Sequence, residues 1–363
     1  MSAPGVAKPV AVAYCRAGFE SEAAADLGRL TESAGLRGTF DVVTRRAYVV
    51  ARFDAFDAQR WSHAFARHPP VFIRSSFVGT GPHAITEPSS IRARPDRVAP
   101  IVDAIAHLSR RGAPGAWIEY PDTNEGKALS TLARALAARL DSALQARGLA
   151  TGPPANHQHV FLADGGTAYV GTSDTETGSA WPMGIPRIRM PHGAPSRSTA
   201  KLAEAFLVFL GDREAALLRS DMRAVDLGAA PGGWTWQLAH RGLKVTAVDN
   251  GALKGDVAID PRVAHVRADG IAWRPRAPVD WLVCDIVLQP IRIADLVAGW
   301  IADGAARYAI FNLKLPMKKR FDEVERCRAA IDARLQRARV RYTLQLRHLY
   351  HDREEITGYL ARR

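Results

Sequence analysis

The stretch AVDLGAAPGGWTW (224–236) constrains this chain more than any other. An apolar run ends in an aspartate and a glycine, and two more glycines lead into a helical pattern. Strand and helix signals alternate around it. MRAVDLG, KVTAVDN, AHVRA, DWLVCDIV and YAIFNLKL read as strands, while GWTWQLAHRG, RIADLVAGWIADG and EVERCRAAIDARLQRA read as helices, before two terminal strands. Single helices between single strands require parallel strands joined by crossovers. The expectation is an α/β, doubly wound, mostly parallel sheet over 197–363.

The first half reads differently. VAVAYC (10–15) has strand character, FESEAAADLGRLTESAG (19–35) is an amphipathic helix stopped by glycine, and 40–53 gives two strands about a polar turn. That is a small α+β unit of ferredoxin-like size, expected over 1–60. A second α+β unit is expected over 61–175. It has strands at 71–79 and 116–120, helices at 96–112 and 122–148, and a hairpin about Gly165 and Gly166. Basic residues close helix 96–112, and Asp122 with Glu125 has capping-box spacing. Proline and glycine then recur through 179–198 without periodicity, which marks 176–196 as a linker.

With 363 residues, 47% apolar, the chain has ample material for packed cores. The net charge of +12 points to an acidic partner, nucleic acid first, although an arginine-rich enzyme would look the same. Cys15, Cys284 and Cys327 have no metal-ligand spacing, so neither a zinc site nor a disulfide framework is expected, and the reducing cytoplasm is the expected setting. The N-terminus lacks the apolar run of a secretory signal, and no stretch approaches the roughly 20 apolar residues of a membrane helix.

Gly228, Gly232 and Gly233 lie between strand and helix, where glycine allows a sharp turn and close ligand approach. The spacing is not that of the dinucleotide fingerprint. Asp249 ends the next strand, where it can take ribose hydroxyls. Asp269 ends the following one, where it can accept from an adenine amino group. A glycine turn with acids at successive strand ends suits S-adenosylmethionine, which has no phosphates to bind.

Ligands of open parallel sheets sit at the carboxyl ends of strands. Asp285 in WLVCDIV and Lys314 in FNLKLP are therefore expected to face the crevice of Gly228. A lone strand-end lysine is usually a snorkelling surface residue. One beside a cofactor turn and a second acid carries more weight. Lys201 lies in SRSTAKLAEAF, and Glu354 and Glu355 in HDREEITGYL. Glu355 is preferred because the apolar strand starts directly after it. Gly358 interrupts the alternation expected of that strand.

SRSTAKL, DLGAAPGGW, CDIV, NLKLPMKKR and YHDREE together resemble the RNA 2′-O-ribose methyltransferases with a Lys-Asp-Lys-Glu tetrad, above all the bacterial 23S ribosomal RNA ribose methyltransferase M family. DTNEGK and MGIPRIRMPHGAPSRS extend the resemblance over essentially the whole chain. It implies a Rossmann-like class I methyltransferase domain behind a ferredoxin-like unit and a THUMP domain, an RNA-binding module. It places the tetrad on Lys201, Asp285, Lys314 and Glu355. It places cofactor contacts on Ser198, Ala230, Pro231, Gly232, Gly233, Asp249, Asp269 and Asp285. It further implies a monomer that methylates a cytidine of 23S ribosomal RNA before full subunit assembly.

The chemistry suits these residue types. The sulfonium methyl is already a strong electrophile, whereas a ribose hydroxyl must lose its proton as it attacks. Only a neutral lysine can take that proton, and at an ordinary pKa roughly one in 2,500 is neutral at pH 7. Lys201 and the cofactor's charge lower the pKa of Lys314, and Asp285 and Glu355 raise it. Lys318, Lys319 and Arg320 sit at a helix start, a poor place for cations, so they are expected to meet RNA phosphates together with Arg187, Arg189 and Arg197. Cys284 is expected to point away from Asp285 as a core residue rather than a nucleophile. Trp234 and Trp236 are expected to pack the helix. A tRNA ribose methyltransferase, an inert RNA-binding assembly factor and a small-molecule methyltransferase are the alternatives. The last would leave the basic linker and the first half without a task.

Overall fold

The computed structural model describes residues 8–86, 96–108 and 113–363. Arg110 and Arg111, expected to close helix 96–112, lie outside them, as do residues 1–7. The chain forms two compact units, divided between Ile185 and Pro186.

The first unit runs β1 (Val10–Tyr14), α1 (Glu20–Ser33), β2 (Gly38–Val42), β3 (Tyr48–Phe53), α2 (Ala58–Arg67) and β4 (Ser75–Ala84), which is a βαββαβ order. It continues with α3 (Val98–Leu108), β5 (Ala116–Glu119), α4 (Asn124–Lys127), α5 (Ser130–Ala146), β6 (His157–Leu162) and β7 (Thr167–Ser173). The strands make one sheet in the order β2-β3-β1-β4-β7-β6-β5. Helix α2 crosses the division expected at residue 60, and the ferredoxin-like arrangement closes only with β4. The helix expected over 122–148 is broken into α4 and α5. Its cap is Thr123, whose Oγ1 accepts from the Gly126 amide at 2.9 Å, while Asp122 pairs with Arg74. The hairpin about Gly165 and Gly166 is β6–β7.

The second unit runs α6 (Thr199–Leu210), α7 (Glu214–Leu217), β8 (Arg223–Leu227), α8 (Gly233–His240), β9 (Lys244–Val248), β10 (Val263–Val266), β11 (Val279–Cys284), α9 (Pro290–Ala302), β12 (Ala306–Lys314), α10 (Arg320–Arg337), β13 (Tyr342–Arg347) and β14 (Glu355–Arg362). Its sheet has the order β10-β9-β8-β11-β12-β14-β13. The first five strands are parallel, and β14 is antiparallel to both β12 and β13. Ala224, Val245, Trp281, Val283 and Ile310 pack with α6 and α8 into one core. Apolar strands buried in this way read as near-continuous hydrophobic runs. Gly358 does not break β14. A side chain there would collide with the ring of Phe311, so the glycine makes room for it. Among the described residues no helix is long and apolar enough to cross a membrane.

The 179–198 segment has no strand and only one short 3-10 turn, but it is fastened at both ends. In the first unit the Met183 amide donates to Glu119 Oε1 at 2.6 Å, and Gly184 packs on Arg74. In the second unit Pro195 and Ser196 lie against Gly232 and Gly233.

Candidate active site

Four elements bring the ionisable groups to one crevice at the carboxyl ends of the parallel strands. Helix α6 carries Lys201 in its first turn. Asp285 directly follows β11. Lys314 ends β12, Glu355 begins β14, and the two are register partners. Lys314 Nζ donates to Asp285 Oδ1 at 2.5 Å and to Glu355 Oε2. Lys201 Nζ pairs with Glu355 Oε1 and lies 3.8 Å from Asp285 Oδ2. Two ammoniums and two carboxylates thus alternate in a closed ring. Side-chain exposure is 23% at Lys314, 18% at Asp285, 17% at Lys201 and 7% at Glu355, so Glu355 is the most deeply buried member of the ring.

Burial alone would pull the Lys314 ammonium below the ordinary lysine value, but Asp285 and Glu355 outweigh it and hold the group above that value. Burial pushes the Glu355 carboxyl up, and the two lysines more than reverse this, holding it below the usual range. Glu354 points elsewhere and pairs with Arg320 at 2.8 Å.

A second set of buried groups, unmarked in the sequence reading, holds the ring in place. Asn312 Nδ2 donates to Asp285 Oδ1 at 2.9 Å, and Thr357 Oγ1 donates to Asn312 Oδ1 at 2.9 Å. Thr357 Oγ1 also lies 2.9 Å from Asp352 Oδ2, so its single proton is shared between the carboxylate and the Asn312 carbonyl oxygen. Burial, then the charge of Glu355, raises the Asp352 carboxyl well above the usual range. Glu204, one turn after Lys201, accepts from the amides of Tyr350 and His351 at 2.7 and 2.9 Å and fixes the turn that leads to Glu355. Asn312, a buried polar residue in an apolar strand, was the signal for this layer.

The glycine turn borders the same crevice. Gly228 and Gly232 have φ of +77° and +113°. A side chain at Gly228 would strike Ile286, and one at Gly233 would strike Ser196 Oγ and Ser198 Oγ. Trp234 Nε1 donates to the Ser198 carbonyl at 3.1 Å, and Trp236 stacks on His240, so both pack the helix. Asp249, one residue past β9, accepts from the Ala230 amide at 3.0 Å and the Gly251 amide at 2.7 Å, which leaves further lone pairs. The Pro231 carbonyl accepts from the Lys254 amide at 2.9 Å. Asp269 does not end a strand. Strand β10 stops at Val266, and Asp269 is exposed three residues on, accepting from the Ile271 amide at 2.9 Å. Asp226 lies beneath the turn. Thr235 Oγ1 donates to its Oδ2 at 2.6 Å, and burial pushes its pKa up to about 7. Asp226 Oδ1 and Thr199 Oγ1 are buried without a partner among the described residues. A cradle that no side chain can enter, with hydroxyls on one side and carboxylates on the other, fits S-adenosylmethionine.

Cys284 is fully buried, and burial pushes its thiol up to about 12, so it supplies no thiolate. Arg187, Arg189, Arg197, Lys318 and Lys319 are exposed. Arg320 is instead mostly buried against Glu354.

An open parallel sheet with a glycine turn after its central strand, an acid after the next and this crevice defines the class I S-adenosylmethionine-dependent methyltransferases. The family model for the RlmM ferredoxin-like domain matches residues 9–77, that for ribosomal RNA large subunit methyltransferase M, N-terminal, matches 96–174, and that for the FtsJ-like methyltransferases matches 194–329. The Methylococcus capsulatus protein named ribosomal RNA large subunit methyltransferase M is 48% identical over 350 residues, covering 96% of each chain. Its namesake from Thauera aminoaromatica is 45% identical over 353 residues, covering 96% of this chain and 94% of its own. The chain belongs to the ribosomal RNA large subunit methyltransferase M family and is an S-adenosylmethionine-dependent methyltransferase. Among solved structures, Aeropyrum pernix fibrillarin with bound S-adenosylmethionine aligns at 14% identity and a TM-score of 0.32, covering 56% of this chain and 82% of that one.

Proposed function

We propose that this enzyme methylates the 2′-hydroxyl of a cytidine in 23S ribosomal RNA, with Lys314 as general base. The observation that carries the reading is the closed ring of Lys201, Asp285, Lys314 and Glu355 beside the glycine turn. When bound, S-adenosylmethionine supplies an electrophilic methyl and a positive charge. Lys314 is the most exposed ring member and the one a ribose hydroxyl can approach. In the resting ring Lys314 is an ammonium, and it must lose a proton before it can accept one. Lys201 helps by taking part of the Glu355 charge that would otherwise fall on Lys314. Asp285 and Glu355 hold the amine in line, and positioning contributes alongside basicity.

Relatives named for ribosomal RNA, the FtsJ-like domain and the net charge of +12 support an RNA substrate. Exposed Lys318 and Lys319, with Arg187, Arg189 and Arg197, are assigned to its phosphates. Residues 61–175 are assigned to a THUMP-type RNA-binding domain following the ferredoxin-like unit, with 176–196 as linker. The enzyme works as a monomer in the cytoplasm, on RNA not yet fully assembled into the subunit.

The test is incubation with labelled S-adenosylmethionine and total RNA from cells lacking the enzyme, followed by mapping of the modified nucleotide. Label on the 2′-oxygen of one 23S cytidine is expected. Label on a base would overturn the mechanism, and label in tRNA would overturn the substrate.

A further inference from the structure

The crossover from β10 to β11, residues 267–278, contains no helix. Doubly wound sheets usually cover both faces with crossover helices. Here Ala224 and Val245 pack into the core with α8, so alternation turns Val225 and Thr246 to the opposite face. A cavity of about 490 Å³ lies there, at the amino ends of β8, β9 and β10. Its floor includes Val225, Ala264 and half-buried Trp273. Its rim is Arg223, Lys244, Arg262 and Arg276, and no acid lines it. Asp260 holds Arg262 at 2.7 Å, whereas Lys244 and Arg276 are in no ion pair among the described residues. A neighbouring cavity of about 460 Å³ shares Arg223 and adds Arg307, Arg362 and Arg363, against Asp280.

We propose that the Trp273 cavity is a second RNA-contact site that seats one unpaired nucleotide of the substrate, its base against Trp273 and its flanking phosphates on Lys244 and Arg276. The proposal rests on the reading of RNA as substrate. The cavity has the size of a ligand pocket. An aromatic floor inside a cationic rim is the chemistry of sequence-tolerant single-strand binding. A packed helix or strand would need an apolar rim, which is not present. The site lies at the opposite end of the strands from Lys314. At about 3.3 Å per residue, β8 alone separates the two ends by roughly 16 Å. The nucleotide held here is therefore several positions along the strand from the one methylated.

The test uses the full chain and a short single-stranded RNA carrying 5-iodouridine. Irradiation should cross-link the RNA to the peptide that contains Trp273. The double variant K244E/R276E should bind the RNA about tenfold more weakly, with a salt slope lower by about two. W273A should lose about tenfold and W273F little, since a phenyl ring still stacks. All three should keep the wild-type affinity for S-adenosylmethionine. Unchanged affinity and slope in the double variant, with RNA methylation by the wild type intact, would overturn the pocket alone. A wild-type chain that binds no RNA would overturn both readings. If W273A does not fold, the rim variants still decide.

Discussion

Lys314 and Glu355 face each other as register partners across β12 and β14, and Glu355 also takes the Lys201 ammonium. One carboxylate is therefore shared between two amines, and Glu355 ties α6 and β12 to β14 at the ring.

Replacing Lys314 with Ala should lower methyl transfer at saturating cofactor by at least about 100-fold, within the usual range for loss of a general base. Equilibrium binding of S-adenosylmethionine should change little. Near-wild-type turnover would reject the assignment.

The pH profile follows from the sign of the Lys314 shift. Its pKa is raised, so below that pKa the reactive, neutral form grows about tenfold per pH unit. The logarithm of the rate should climb with a slope near one from pH 7 upward while the protein stays folded. A flat profile across that range would argue that chemistry does not wait on this proton.

Lys201→Ala removes a like charge and leaves Glu355 wholly to Lys314. Both effects raise the Lys314 pKa further, so turnover at pH 7 should fall by about 10-fold or more and recover in part at higher pH. A loss independent of pH would mean that Lys201 serves only to orient the ribose.

The two adjacent glutamates should separate cleanly. Glu355→Gln should cost at least about tenfold in turnover, because the lost alignment of Lys314 and Lys201 outweighs the gain in neutral Lys314. Glu354→Gln breaks only the Arg320 pair at a mostly exposed carboxylate and should leave turnover within about twofold. Equal losses would refute the distinction.

Gly233→Ala should weaken S-adenosylmethionine binding by at least about tenfold. The added methyl would displace the Ser196 and Ser198 hydroxyls, and such crowding costs about 1–3 kcal/mol in stability. Calorimetric titration with a parallel thermal melt separates the two effects.

The parallel sheet was readable because each of its strands is a short apolar run that ends in a charged or glycine residue. Asp285 and Lys314 were readable for the same reason, since chemistry at strand ends sits next to a change in hydropathy. Asp269 misled because a three-residue extension after Val266 looks like strand continuation. Thr123 outcompeted Asp122 as a cap although both have the right chemistry, and only backbone geometry separates neighbouring caps. The chain Asp352–Thr357–Asn312 spans 45 residues of sequence, from 312 to 357, and no local pattern reports a contact of that separation. The cavity beside Trp273 was hidden because a crossover without a helix leaves only an ordinary proline-containing loop.

The hydroxyls that crowd Gly233 come from residues that precede the first helix of the second unit. The boundary suggested by secondary structure and the boundary of the proposed cofactor site therefore differ. A fragment cut at residue 199 would keep every strand and helix of the sheet yet lack Ser196 and Ser198. One cut at 186 would carry the complete cradle. In any exchange of front halves between relatives, the last few residues of the linker must travel with the enzyme behind them.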